Sequence, residues 1–284
     1  MIFIADSGST KTQWRLLGAD GSIQQAKTAG YNPHHQTAAD IRDNLLQELL
    51  PQLSDGISPQ QIHFYGAGCS SEKSKSIVRM AFREVFPEAD ITIEHDLLAA
   101  ARALCGSEPG IACILGTGSN SCLYNGAEIT HNIPALGWIL GDEGSGSDLG
   151  RRVVADFLRF NMPDHLSKAF AEAYQGVTVD EVLDRIYKQP FPKPYIASFA
   201  RFLNTHLQDP WCYQHVYDSF RSFLEKNVCK YPDYQQHKLH FVGSVAYYNS
   251  NVLRKAASDL GLRVHHVLES PIAGLTLYHQ QTKV

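Results

Sequence analysis

The sequence predicts an α/β protein of two successive halves, each a mixed sheet with helices on its faces. Three observations predict it. Short apolar runs bounded by turn residues alternate with stretches of helical period. The order strand, tight turn, strand, strand, helix occurs twice, from residue 2 and again from residue 111. The chain has 284 residues, 44% of them hydrophobic, enough to fill two cores rather than one.

In the first half, residues 2–5 (IFIA) read as a short buried strand, 12–18 as a second and 22–28 as a third, with Ala19-Asp20-Gly21 as the turn between the last two. After Asn32-Pro33 the period becomes helical, with Ile41, Leu45, Leu46, Leu49 and Leu50 on one face. A strand (61–66), a helix (72–86), a strand (90–93) and a helix (95–105) follow. The second half opens with strands 111–115 and 119–124, the Asn125-Gly126 hairpin signal and a strand at 127–131. A helix starts near Ser145, and residues 163–235 are helical and aromatic-rich, with Pro190, Pro192, Pro194 and Pro210 as breaks. Strand 239–242, helix 246–260, strand 263–267 and helix 271–281 close the chain. The boundary falls at the turn-rich Glu108-Pro109-Gly110, giving domains 1–109 and 110–284, the second with a helical insertion at about 163–235. The final helix is a candidate to pack back on the first domain.

Composition excludes several function classes. Lys and Arg total 25 against 29 for Asp and Glu, a formal charge of -4, which is no electrostatic footprint for nucleic acid or an anionic membrane. MIFIADSGSTKT has no basic, apolar leader pattern, and no run of about 18 apolar residues predicts a membrane span. The six cysteines show no C-x-x-C spacing, and Cys105, Cys113 and Cys122 sit in apolar contexts, so a reduced cytoplasm is expected.

Four glycine turns follow predicted strands. In Asp6-Ser7-Gly8-Ser9-Thr10-Lys11-Thr12, Gly8 is expected to supply positive φ, and a hairpin tip of small residues exposes N–H groups to a phosphate. Lys11 could reach a terminal phosphoryl oxygen, and Asp6 could hold Mg2+ through water. An ordinary hairpin gives the same pattern. Gly116-Thr117-Gly118-Ser119-Asn120 stands at the equivalent place in the second half, and two such hairpins can grip a triphosphate from both sides. In Gly137-Trp138 and Gly141-Asp142-Glu143-Gly144-Ser145-Gly146, Asp142 or Glu143 either caps a helix or faces a sugar or metal, and Trp138 either stacks on a sugar or fills core. Gly243-Ser244-Val245, between a strand and a helix, admits a flat ligand such as adenine, or allows close packing alone. Asp96 opens the apolar helix from Leu97, as its N-cap or as a base for an attacking hydroxyl, and His95 beside it reads as surface or structural.

Together these segments resemble the superfamily of acetate and sugar kinases, heat-shock chaperones and actin. Within it the chain is similar to the BadF/BadG-type ATPases that include N-acetylglucosamine kinase. DSGSTKT resembles the first phosphate motif, ILGTGSNSCLYNG the second, GWILGDEGSG the tryptophan and GDEGS block, FVGSV the adenosine-side motif and SPIAGLTL the small-residue terminal helix. The resemblance implies two ribonuclease-H-like (actin-like ATPase) domains with a cleft between them, and ATP with Mg2+ as cofactors. It implies Asp96 as catalytic base and Ser9, Thr10, Lys11, Thr117, Gly118, Gly243, Ser244 and Val245 at the nucleotide. It implies Asn32, Asn120, Trp138 and Asp142 at the sugar, and Gly68 or Cys69 near the place of a family serine that contacts sugar. Ser7 and Ser9 stand where the family commonly carries glycines, and Leu136 and Ile139 flank the tryptophan block where glycine is usual.

The activity implied is ATP-dependent phosphorylation of an amino sugar, N-acetylglucosamine at its 6-hydroxyl, in the cytoplasm. Glucosamine is the alternative within that class. An activator ATPase coupled to a partner protein is the alternative outside it, although the cysteines are scattered rather than clustered as an iron–sulfur centre needs. A homodimer stays open.

Overall fold

The computed structural model describes residues 1–8, 11–54 and 57–281. Its contacts divide the chain into two units, Met1–Ser107 with Pro271–Val284 and Glu108–Ser270.

The first unit is built on β1 (Ile2–Ser7), β2 (Lys11–Leu17), β3 (Ile23–Ala29), β4 (Gln61–Gly66) and β5 (Asp90–His95), in the spatial order β3-β2-β1-β4-β5. β1 pairs antiparallel with β2 and parallel with β4, and β4 pairs parallel with β5. The helices are α1 (Ala38–Asn44), α2 (Glu72–Val85) and α3 (Asp96–Cys105). α1 runs on through a π turn (Leu45–Leu49) and a 3-10 turn (Leu50–Gln52), where Pro51 lacks the N–H that regular helix requires.

The second unit repeats this plan with β6 (Gly110–Leu115), β7 (Ser119–Tyr124), β8 (Ile129–His131), β9 (Leu239–Val242) and β10 (Val264–Leu268), in the order β10-β9-β6-β7-β8. Between β8 and β9 run α4 (Gly137–Leu140), α5 (Gly146–Leu158), α6 (Asp164–Ala173), α7 (Val179–Tyr187), α8 (Pro192–Ser198), α9 (Ala200–Thr205) and α10 (Pro210–Lys226). Beyond β9 come α11 (Ser244–Tyr248) and α12 (Ser250–Ser258), and after β10 the chain ends in α13 (Ile272–Gln281), which belongs to the first unit.

Three departures from the expected elements have local causes. The helix expected over 246–260 is two helices. Asn249 donates from its side chain to the Val245 carbonyl at 3.0 Å and to Asn204 Oδ1 at 2.8 Å, which interrupts the ladder between α11 and α12. The strand expected at 127–131 keeps only Ile129–His131, because Asn125 Oδ1 accepts from the N–H groups of both Ala127 and Glu128. Pro192 and Pro210 open α8 and α10 instead of breaking helices, since the first helical N–H has no partner in any case.

β1 explains the layering of the first unit. IFIA is buried throughout, so both its faces need cover. Phe3 and Ala5 face a core with Trp14, Tyr31, Phe64, Phe82, Ile41 and Leu45. Ile2 and Ile4 face Tyr65, Ala99, Ile272 and Leu275, so α3 and α13 close that side. Gly274 permits the crossing of α13 on α3, because a Cβ there would strike the Ala103 carbonyl. In the second unit the helical region supplies the core: Phe170, Phe202, Phe220 and Phe223 pack with Leu115, Leu149 and Phe241.

A polar chain fixes α13 further. Arg102 Nη1 on α3 donates to Tyr65 Oη at 2.8 Å, and Tyr65 Oη lies 2.9 Å from His279 Nε2. Tyr65 Oη accepts from Arg102, which only donates, and shares a second hydrogen bond with the imidazole, the donor there being set by the histidine tautomer. Burial holds Tyr65 up at about 12, so it keeps its proton. Burial, with the positive charge of His63 and Arg102, pushes His279 down to about 3. Among the described residues, the charged or titratable groups facing His279 include His63 and Tyr65 on β4, Arg102 on α3 and Tyr278 on α13.

A histidine whose folded pKa is depressed binds its proton in the unfolded chain first. Stability is therefore lost as pH falls below about 6.5, continuing towards the folded value, by at most about 1.4 kcal/mol per pH unit for one group. The thermal midpoint is expected to fall between pH 7 and pH 4.5, and less steeply in His279→Gln, which keeps a hydrogen-bond partner for Tyr65 and does not titrate. Parallel melting curves for the two proteins over that range would show that His279 has no part in the acid loss.

Candidate functional site

In the second unit three glycine turns meet at the C-terminal ends of β6 and β9, the edge at which open α/β sheets bind ligands. The hairpin Gly116–Ser119 is closed by Gly116 N–H donating to the Gly118 carbonyl at 3.0 Å. Gly243 lies directly against its base. A Cβ at Gly243 would strike the Leu115 carbonyl, and its φ of +122° is one that glycine alone adopts readily. The start of α5 docks on the same hairpin: Gly146 N–H donates to the Gly116 carbonyl at 2.8 Å and Ser147 N–H to the Thr117 carbonyl at 3.1 Å. These are first-turn donors of α5, which helices ordinarily offer to caps, water or ligands. Among the described residues, no acceptor takes the N–H of Thr117 or Gly118.

Asp142 does not cap α5. That place belongs to Ser145, whose hydroxyl accepts from Asp148 N–H at 3.3 Å. Glu143 pairs with Lys226 at 2.8 Å. Asp142 itself, at a φ of +58°, turns its carboxylate into the hairpin. Oδ1 accepts from Ser119 N–H at 3.1 Å, and Oδ2 pairs with Lys193 Nζ at 2.8 Å. A Cβ at Gly118 would collide with that Nζ and lie 2.9 Å from Oδ2, so the ion pair sits on the hairpin tip.

Two further contacts place Lys193. A Cβ at Gly150 of α5 would strike the Ile196 carbonyl of α8, so this glycine lets the two helices touch through their backbones. Asp148, fully buried, anchors α5: it accepts from Ser219 at 2.6 Å, from Arg151 at 2.9 Å and from Arg152 at 3.1 Å. Burial pushes its carboxyl up, but the Arg152 charge and these hydrogen bonds outweigh that and hold it below the ordinary value. Ser219 also accepts from Gly144 N–H at 3.1 Å, tying α10 to the GDEGS turn.

Asn120 is the second residue of β7, its Oδ1 accepting from Asn132 Nδ2 at 3.1 Å. Trp138 is half-buried in α4, beside exposed Leu136, Ile139 and Leu140. Ser244 and Val245 form the first turn of α11 behind Gly243.

In the first unit the candidate residues lie at the C-terminal ends of β1, β4 and β5. Asp6 is paired with Tyr65, Ser7 with Gly66, and Gly66 with His95. Gly8 donates its N–H to the Lys11 carbonyl at 3.0 Å. Contrary to expectation its φ is not positive, because that bond continues the extended β1–β2 pairing beyond Ser7 and Thr12, where none is needed. Ser9 and Thr10 lie outside the described residues. Ser7, where the family commonly has glycine, is buried. It bonds Thr12 Oγ1 at 2.8 Å and accepts from Tyr31 N–H at 2.9 Å, which brings the segment of Asn32 to the hairpin. Gly68, at a φ of +80°, lies against Asn32: a Cβ there would be 2.7 Å from Oδ1. Cys69 is wholly buried in the core, where burial pushes its thiol up to about 12, so only its backbone reaches the edge.

Asp96 is the first residue of α3 but not its cap. His95 caps the helix, its Nδ1 accepting from Leu98 N–H at 3.3 Å. Burial lowers the His95 pKa, which keeps that nitrogen an acceptor. The Asp96 carboxylate is thereby not needed for capping and is half-buried at the strand edge.

The donor set suits magnesium. Asp6 is a single carboxylate at a strand end, and among the described residues no three His, Cys, Asp or Glu side chains gather into a cage. Magnesium keeps most of its water and commonly takes its other ligands from one or two carboxylates and from phosphates.

No family model matches the chain. A solved structure described as "Putative N-acetylglucosamine Kinase" from Porphyromonas gingivalis is 42% identical, covers 100% of both chains and superposes with a TM-score of 0.94. A structure of the same description from Chromobacterium violaceum is 18% identical over 98% of each chain, with a TM-score of 0.76, and shares the fold. The N-acetylmuramic acid/N-acetylglucosamine kinase of Clostridium acetobutylicum is 24% identical over 212 residues, 70% of this chain and 68% of its own length. The full-length identity, the two sheets of one topology and the glycine turns at their edges agree: the chain belongs to the N-acetylglucosamine kinase-like sugar kinases.

Proposed function

We propose that this sugar kinase transfers the terminal phosphoryl group of ATP to the 6-hydroxyl of N-acetylglucosamine, in the cytoplasm. The observation that carries the phosphoryl-transfer part is the meeting of the Gly116, Gly146 and Gly243 turns, with the Thr117 and Gly118 N–H groups left for a phosphate. The choice of sugar rests on the names of the relatives.

In this reading Thr117, Gly118, Ser9, Thr10 and Lys11 hold phosphates, and Gly243, Ser244 and Val245 take the adenine end. Asp6 holds Mg2+ through water, and the ion supplies charge neutralisation at the phosphates. Asn32, Gly68, the Cys69 backbone, Asn120, Trp138 and Asp142 take the sugar. Asp142 keeps lone pairs for sugar hydroxyls, because a carboxylate accepts at about four sites. Asp96 receives the proton of the attacking hydroxyl. Such a transfer depends on positioning and charge rather than on a covalent nucleophile.

Two measurements test this. ADP formation with Mg2+ is expected to rise strongly with N-acetylglucosamine and little with glucosamine, and N-acetylmuramic acid belongs in the same panel. ATP hydrolysis that no sugar changes would overturn the reading. Asp96→Asn is expected to lower kcat by about 10²–10⁴-fold with KM for ATP nearly unchanged. A folded variant with near-normal kcat would remove Asp96 as the base.

A further inference from the structure

We propose that Lys193, from the helical region, is a ligand of the nucleotide phosphates, held ready over the Gly116–Ser119 tip by Asp142. The proposal rests on the kinase reading above and adds to it a residue that no motif marks.

Four observations carry it. Lys193 Nζ is 2.8 Å from Asp142 Oδ2 and so close over Gly118 that a methyl group there would collide with it. The Thr117 and Gly118 N–H groups, on that same tip, have no acceptor among the described residues. Two backbone donors beside an ammonium match the oxygens and the charge of a phosphate. The first-turn N–H groups of α5, the other donors nearby, are already taken, those of Gly146 and Ser147 by the Gly116 and Thr117 carbonyls and that of Asp148 by the Ser145 hydroxyl. The fourth observation concerns charge. The Asp142 side chain is 2% exposed and carries its negative charge on the hairpin, where by itself it would repel an arriving phosphate. Lys193 cancels that charge.

The placement is built into the fold. Lys193 stands near the start of α8, and α8 lies against α5 through the Gly150–Ile196 backbone approach. Its side chain is 33% exposed, so the ammonium can swing towards a phosphate without leaving a packed core. Nucleotide and Asp142 then share one cation, and arrival of phosphate loosens the hold of Lys193 on the acid that the reading assigns to the sugar.

A purely structural role, in which Lys193 only neutralises Asp142, gives different results in one experiment. Binding of the Mg2+ complex of AMPPNP is measured by calorimetry, and of adenosine by ligand-observed NMR, in the whole protein. Lys193→Met is expected to weaken AMPPNP about 10–100-fold, the size of one charge-assisted hydrogen bond, and to leave adenosine unchanged. Lys193→Arg is expected to recover most of the loss. The pair Lys193→Met with Asp142→Asn is expected to bind AMPPNP more tightly than Lys193→Met alone, since the buried uncompensated carboxylate is gone. It also provides a variant that folds if Lys193→Met does not. AMPPNP affinity within about twofold of wild type in Lys193→Met, or in the pair, would overturn the proposal. So would equal losses of AMPPNP and adenosine. Wild-type protein that binds no AMPPNP would instead sink the kinase reading, and Lys193 as a ligand with it.

Discussion

The N–H groups of Gly146 and Ser147 reach the carbonyls of Gly116 and Thr117, and the second unit's candidate site is arranged around that join. It fixes the start of α5 to the hairpin after β6. Because α5 is fixed there, the preceding GDEGS turn can fold Asp142 onto Ser119. Because α8 touches α5 at Gly150, Lys193 arrives at the same place. The buried Asp148, with Ser219, Arg151 and Arg152, holds the far side of α5 in register. A polar network of this kind is stabilising only when its members are satisfied, and here each carboxylate oxygen has a donor.

The same strand order serves both units, but the two edges differ in chemistry. In the second, backbone donors, one ion pair and close glycine contacts suit a polyanion. In the first, Asp6, Asn32 and Asp96 are acceptor-bearing side chains at the C-terminal ends of β1, β3 and β5 or just beyond them, a set better matched to hydroxyl groups and a hydrated cation. One topology, used twice, places unlike groups because the loops vary while the strands do not.

Much of this is legible in the sequence. Apolar runs, Asn125-Gly126 and the glycine turns are local signals, and the strands lie within a few residues of where those signals place them. Other features rest on contacts between distant positions, and no local pattern encodes them. Lys193 sits between two prolines in a stretch with no motif, and its partner lies before α5. Ser7 reads as a mere substitution in a glycine loop, yet its hydroxyl ties two segments together. His95 reads as surface or structural beside Asp96, and only the Leu98 N–H contact identifies it as the cap. Asn249 gave no warning that it divides a helix, because its side chain competes with the backbone only once Asn204 lies beside it.

The first unit is discontinuous in the chain, and α13 covers the Ile2 and Ile4 face of β1. During synthesis that face has α3 alone over it until α13 has also been made. The second unit, continuous from Glu108 to Ser270, has all its strands and helices earlier. The order of completion is therefore the reverse of the order of synthesis. The unit begun first is completed after the second, by contact of Ile2 and Ile4 with Ile272 and Leu275, the kind of long-range closure that slows folding and leaves apolar surface open in the interval.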